Sequence, residues 1–178
     1  MFTHARNIDA KTTIAAPPRA IERLHPEARA PLLAHFLALS NADRRLRFGR
    51  TMAPTVVADY VDGIDFARDT ILGVRDHQAQ LVGVAHLAFD SDPAEVGLSV
   101  LSGFRQRGIA SALFGSAVAR ARRYVHGIYM LFPAINEPIL RIARRFGMAV
   151  RFSGGDAEAR LDVRPVTRSL NPPTGASI

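Results

Sequence analysis

The stretch Leu98–Arg123, LSVLSGFRQRGIASALFGSAVARARR, passes from an apolar strand-like run through an arginine–glycine turn into an alanine-rich helix. Gly108 lets the backbone take a positive φ and lets a ligand approach with no Cβ in the way. Ala110 keeps the first helical turn narrow. The first N–H groups of a helix have no internal acceptor, and the helix dipole adds partial positive charge there. Such a turn is an anion site suited to a phosphate. Arg105 and Arg107 add full charges and planar donor forks. The same residues also read as a plain strand-to-helix turn with solvated arginines. The pattern Arg-x-x-Gly-x-Ala is weak alone, and its position between an apolar strand and a helix is what gives it weight.

Outward from that stretch, apolar spacing alternates between strand and helix. RAIERL (19–24) predicts a short strand, HPEARAPLLAHFLALS (25–40) a helix with an apolar face, and APTVVADYVDGI (53–64) a second helix opened by Pro54 and stopped near Gly63. DTILGVRD (69–76) and AQLVGVAHLAFD (79–90) predict a hairpin, and AEVGLSVLS (94–102) the next strand. A helix over 109–124 follows, then a buried strand in GIYMLFPAI (127–135). NEPILRIARRFG (136–147) carries Ile139, Ile142, Ala143 and Phe146 at helical spacing. MAVRFS (148–153) and AEARLDV (157–163) close as a hairpin across Gly154-Gly155. The expected order is β-α-α-β-β-β-α-β-α-β-β, an α/β (α+β) fold with a mixed sheet and helices on both faces. One domain spans 18–163, between flexible segments at 1–17 and 164–178.

The chain has 178 residues, of which 48% are hydrophobic and 22% charged, enough apolar material for a core. It has no cysteine, which excludes disulfides, thiolate zinc sites and a cysteine nucleophile. No metal is expected. The formal charge is +7, almost all of it from arginine, since Lys11 is the one lysine. The arginines are scattered and not interleaved with aromatics, so no specific nucleic-acid face is expected. The low acidic count leaves few groups to line a polycation pocket, which argues against polyamine and aminoglycoside acceptors. No apolar run suggests a signal peptide or membrane span, so a cytoplasmic protein is expected.

FRQRGIASAL resembles the acetyl-CoA loop of the GNAT superfamily of acyltransferases, with its signature Gln/Arg-x-x-Gly-x-Gly/Ala matched at Arg105, Gly108 and Ala110. NEPILRIARRFGM is similar to that family's later motif at Asn136, Ile139, Leu140, Phe146, Gly147 and Met148. FLALSNADRRLRF resembles the first-helix region of a branch that includes bacterial protein-acetyltransferase domains.

The resemblance implies a sheet whose fourth and fifth strands splay apart to admit the pantetheine arm. It implies a cofactor site made of Leu98, Ser99 and Val100, the loop Arg105, Gln106, Arg107, Gly108, Ile109, Ala110 and Ser111, and Asn136. Acetyl-CoA would be the co-substrate, with a small-molecule amine or a protein lysine as acceptor. The primary amine would attack the thioester directly, helped by a base and by a proton for the leaving thiolate. Glu95, at the start of the strand before the loop, is the expected base, and His86 on the neighbouring strand is its rival. Many family members carry a tyrosine where this chain has Ala143, so the proton donor to the thiolate is unassigned. Tyr129 is one candidate. Two other readings stay open, an acyl-CoA-binding sensor or partner module that does not catalyse, and a basic nucleic-acid binder with a chance loop match.

Overall fold

The computed structural model describes residues 20–163, so the expectations for 1–17 and 164–178 fall outside the described residues. The chain opens with β1 (Glu22–Leu24) and a 3₁₀ turn, then three helices, α1 (Arg29–Ala38), α2 (Asn41–Phe48) and α3 (Pro54–Asp62). β2 (Thr70–Arg75), β3 (Leu81–Ala88) and β4 (Ala94–Val100) form an antiparallel meander. After a second 3₁₀ turn come α4 (Ile109–Ala121), β5 (Gly127–Pro133), α5 (Glu137–Arg145) and the hairpin of β6 (Ala149–Ser153) and β7 (Asp156–Asp162). The expected order holds except for α2, which hydrophobic periodicity does not signal because none of its residues is buried. Its marks are at its ends. The Ser40 hydroxyl accepts from the Asp43 N–H at 3.1 Å, and Gly49 stops the helix at φ +72.

The sheet runs β1-β2-β3-β4-β5-β7-β6, and β4 with β5 is its one parallel pair. That pair has two rungs, Ala94 with Ile128 and Glu95 with Tyr129, after which the strands part. β5 by contrast pairs with β7 along its whole length, from Gly127 to Pro133. The family resemblance implied this splay, and a mixed, mostly antiparallel sheet with splayed central strands is what forms.

Side chains alternate across the strands, and this sends each helix to a face. Gly83 of β3 lies under Ile109 and Leu113 of α4. His86, three residues along and therefore on the other face, meets Tyr60 of α3. On that face Leu32 and Phe36 of α1 and Val57 and Val61 of α3 are buried; under α4 the core is Leu113, Phe114, Ala117 and Ala121. Phe114 is completely buried and packs edge-on to Phe146 at 4.7 Å, which ties α4 to the end of α5. Phe114→Ala should cost about 3–5 kcal/mol of stability, read as a lower denaturation midpoint in urea. A loss under about 1 kcal/mol would mean that α4 and α5 are not locked by this contact.

Candidate functional site

The parting of β4 and β5 leaves a cleft on each side of one residue, Arg47. The first, about 380 Å³, is lined by Leu98, Ser99 and Val100 of β4, by the turn into α4, and by α5 residues that include Ile139, Arg141 and Arg145. Of the residues singled out in the sequence, Leu98, Ser99, Val100, Arg105, Gln106, Gly108, Ile109, Ala110, Ser111 and Asn136 all line it. Arg107 does not. Its guanidinium donates to Gly103 O at 2.9 Å and lies over the Phe104 ring.

Gly108 is the N-cap of α4 at φ +77, and no side chain caps the helix. A Cβ there would meet nothing within 4 Å, so the space before the helix mouth is open. Gln106 also has a positive φ, +59, and residues of alternating hand turn successive N–H groups toward one side, as in anion-binding nests. Arg105 is held in place: it pairs with Asp43 of α2 at 2.7 Å and donates to Val100 O at 3.1 Å. Burial pushes the Asp43 carboxyl up, but the hydrogen bonds of Ser40 and Arg105 outweigh it and keep that carboxyl below its usual range. Asn136 is buried and caps α5 by accepting from Ile139 N–H, while its amide donates to Leu46 O, each at 3.4 Å.

The second cleft, about 720 Å³, lies over β3 and β4 and contains His86, Glu95, Gly97 and Tyr60. Its lining bears on the low acidic count of the chain. Five of the chain's 16 acidic residues line it, Asp59, Asp69, Asp90, Glu95 and Asp156, against the three arginines Arg47, Arg50 and Arg68. Folding collects carboxylates that lie far apart in the sequence.

Within this cleft runs a chain of hydrogen bonds. Asp69 is 2% exposed and receives Arg68 at 2.9 Å, the Phe89 N–H at 3.2 Å and His86 Nε2 at 3.0 Å. Burial opposes its charge, but these donors outweigh burial and hold the carboxyl well below its usual range. Asp69 is therefore an acceptor, and His86 Nε2 carries the proton. With neutral His86, Nδ1 is then bare and accepts the Tyr60 hydroxyl at 2.6 Å. The Tyr60 oxygen in turn accepts from Arg47 at 3.1 Å. Neither Tyr60 nor Arg47 was singled out in the sequence, since α2 gave no apolar signal and Tyr60 reads as one aromatic of a short helix.

Arg47 lines both clefts. Its guanidinium lies over Phe48 at 4.8 Å and within 5.9 Å of the Phe36 and Tyr60 ring centres. It rests flat on β4 because residue 97 is glycine; a Cβ at Gly97 would fall 2.2 Å from the guanidinium carbon.

Glu95 sits at the last rung of the parallel pair and accepts from the Tyr129 hydroxyl at 3.4 Å. Burial, then the Glu95 charge, raises the Tyr129 pKa, so Tyr129 stays a donor to the carboxylate. Ala143 is fully buried. His35 of α1 is also buried; its Nδ1 donates to Leu81 O at 2.9 Å, which leaves Nε2 to accept from Ser99 Oγ at 2.8 Å. Among the described residues no group of acidic or histidine side chains is arranged to hold a metal ion, and no helix is long and apolar enough to cross a membrane.

With this geometry in view, a model of the acetyltransferase (GNAT) family matches residues 36–148. No curated protein matches the chain. Its fold is similar to that of the GNAT domain of S. lividans PAT, at 18% identity over 80% of this chain and 89% of that one, with a TM-score of 0.70. It is similar to an N-acetyltransferase from Staphylococcus aureus, at 16% identity over 82% and 98% of the two chains, TM-score 0.64. It is also similar to a spermidine N-acetyltransferase from Vibrio cholerae in complex with CoA and spermine, at 15% identity over 81% and 95%, TM-score 0.62.

The buried His35 sets a pH dependence of stability. Burial lowers its pKa from 6.5 to about 4. Between those two values the unfolded chain binds a proton that the folded chain refuses, so stability falls as pH drops through the window and levels off below it. The expected loss is about 3 kcal/mol. Urea unfolding of the wild type and His35→Gln at pH 7 and pH 4.5 checks it: the fall should shrink by most of that amount in the variant. An equal fall in both proteins would show that another group sets the dependence.

Proposed function

The chain belongs to the acetyltransferase (GNAT) family, and from that premise we propose that it transfers an acetyl group from acetyl-CoA to a primary amine by direct attack. One observation carries the reading. The split between β4 and β5 opens onto the uncapped N-terminus of α4, so a strand edge for an amide-bearing arm and an anion site share one cleft. The N–H groups from Gly108 to Ser111 suit the diphosphate, and Arg141 and Arg145 are near enough on the same lining to meet a further phosphate. Leu98 and Val100 offer backbone groups to the pantetheine amides. Asp43 holds Arg105 at the cleft wall, where the arginine shapes the turn and adds charge.

The acceptor comes from the other side. With Asp69 and Arg68 already paired, the four carboxylates Asp59, Asp90, Glu95 and Asp156 against Arg47 and Arg50 favour a cationic amine, whether a small molecule or a protein lysine. The similar fold of the Vibrio cholerae enzyme, a spermidine N-acetyltransferase, supports the small-molecule case. Glu95, at the apex of the split and on the acceptor cleft, is the base that takes the first ammonium proton.

The test is release of free thiol from acetyl-CoA with spermidine, a lysine peptide or glutamate as acceptor. The cationic amines should react and glutamate should not; no release with any of them would leave a binding module. Gly108→Trp should abolish the thermal stabilisation given by coenzyme A. The positive φ there should also cost about 1 kcal/mol of intrinsic stability. Full stabilisation in that variant would place the diphosphate elsewhere. Glu95→Gln should lower turnover about a hundredfold with coenzyme A stabilisation unchanged. Wild-type turnover in Glu95→Gln would remove Glu95 from the reaction.

A further inference from the structure

Direct attack by an ammonium on a thioester has a proton balance that one base does not close. The ammonium loses one proton to become a nucleophile. After attack, the nitrogen of the tetrahedral adduct carries a positive charge and must lose a second. The departing sulfur must gain one. Glu95 accounts for the first proton, which leaves for solvent. The second has to travel from nitrogen to sulfur. The residue where many family members keep a tyrosine is here Ala143, fully buried in the core with no hydroxyl to offer.

We propose that Tyr60, His86 and Asp69 form a proton relay that carries the second proton from the acceptor nitrogen to the coenzyme A sulfur, with Tyr60 as the group that touches the reacting atoms. The inference rests on the acetyl-transfer reading and completes it. In the first step the adduct's N–H bond breaks and a proton joins the Tyr60 oxygen, while the Tyr60 O–H proton moves to His86 Nδ1. Asp69, held as a carboxylate by Arg68 and the Phe89 N–H, faces the imidazolium so formed. In the second step the C–S bond breaks, the Tyr60 proton joins the sulfur, and His86 Nδ1 returns its proton to Tyr60. The relay ends as it began, and no outside acid or base enters.

Three observations place the relay at the bond being broken. His86 pairs across the sheet with Gly97, two residues past the last β4–β5 rung and so inside the split. Arg47 lies on that same Gly97, lines both clefts, and donates to the Tyr60 oxygen at 3.1 Å, so the hydroxyl stands in the second cleft against the residue the two clefts share. Finally, the charged ends orient the chain when the imidazole is neutral. Asp69 accepts only and takes the Nε2 proton, so a neutral His86 presents Nδ1 as the acceptor toward Tyr60, and Arg47 donates only, so the Tyr60 O–H points to His86. The other charged groups on this cleft are Asp59, Asp90, Glu95, Asp156 and Arg50.

Single-turnover acetyl transfer from acetyl-CoA to spermidine or a lysine peptide, whichever reacts faster, tests the relay in mixtures of H₂O and D₂O. Wild type should show a rate that curves with deuterium fraction, as two protons in flight require. Tyr60→Phe keeps the ring among Phe36 and Phe48. It should slow transfer about a hundredfold, leave coenzyme A stabilisation intact, and make the dependence linear. His86→Gln should do the same and serves as the second reading should Tyr60→Phe fail to fold. Wild-type rate and curvature in either folded variant overturns the relay while acetyl transfer stands. Absence of thiol release from the wild type overturns both.

Discussion

Two rungs of parallel pairing, Ala94 with Ile128 and Glu95 with Tyr129, are all that join the two halves of the sheet at its centre. A buried strand edge without partners is costly, because its N–H and C=O groups have given up water and received nothing in return. Here the rest of the molecule keeps that edge open. β5 is held to β7 along its full length and β4 to β3 along its own, so neither strand is free to close the gap. α4 starts beyond the end of β4 with uncapped N–H groups facing the same opening. The parted strand edge and the uncapped helix donors thus face one opening.

A second constraint sits where the clefts meet. Arg47 is a buried-side cation stacked among three aromatic rings, and it reaches its place because Gly97 leaves the strand bare beneath it. Cation–π contact holds the guanidinium without neutralising it. The charge therefore remains available to the Tyr60 oxygen and to whatever carbonyl lies beside Gly97. α2, which supplies Arg47, is fastened at both ends of its short run. Asp43 pairs with Arg105 of the loop, and Leu46 O accepts from Asn136. The turn into α4, the α5 cap and the cleft junction thus share one small helix.

The sequence made the loop and most of the fold legible, for reasons particular residues show. Gly108 and Ala110 between an apolar strand and an apolar-faced helix mark a local feature, and local features survive translation into structure. Strands and helices with buried faces, such as β3 or α4, declare themselves by periodicity. α2 buries nothing, so only its Ser40 cap and Gly49 stop could have announced it. The acidic cleft was hidden for a different reason. Asp59, Asp69, Asp90, Glu95 and Asp156 come from five separate segments, and composition averages over them. The hydrogen-bonded chain was hidden likewise, because Tyr60, Asp69 and His86 become neighbours only when α3 docks on the sheet.

The central claim is that the parted strands and the helix mouth bind one ligand together. Amide hydrogen exchange with and without acetyl-CoA tests it most directly. The account predicts slowed exchange in two segments at once, Val96–Val100 on the open edge of β4 and Gln106–Ala112 at the entry to α4. The paired strands β2 and β7 should exchange as before. Unchanged exchange in both segments at saturating acetyl-CoA, or protection confined to a surface away from the split, would contradict it.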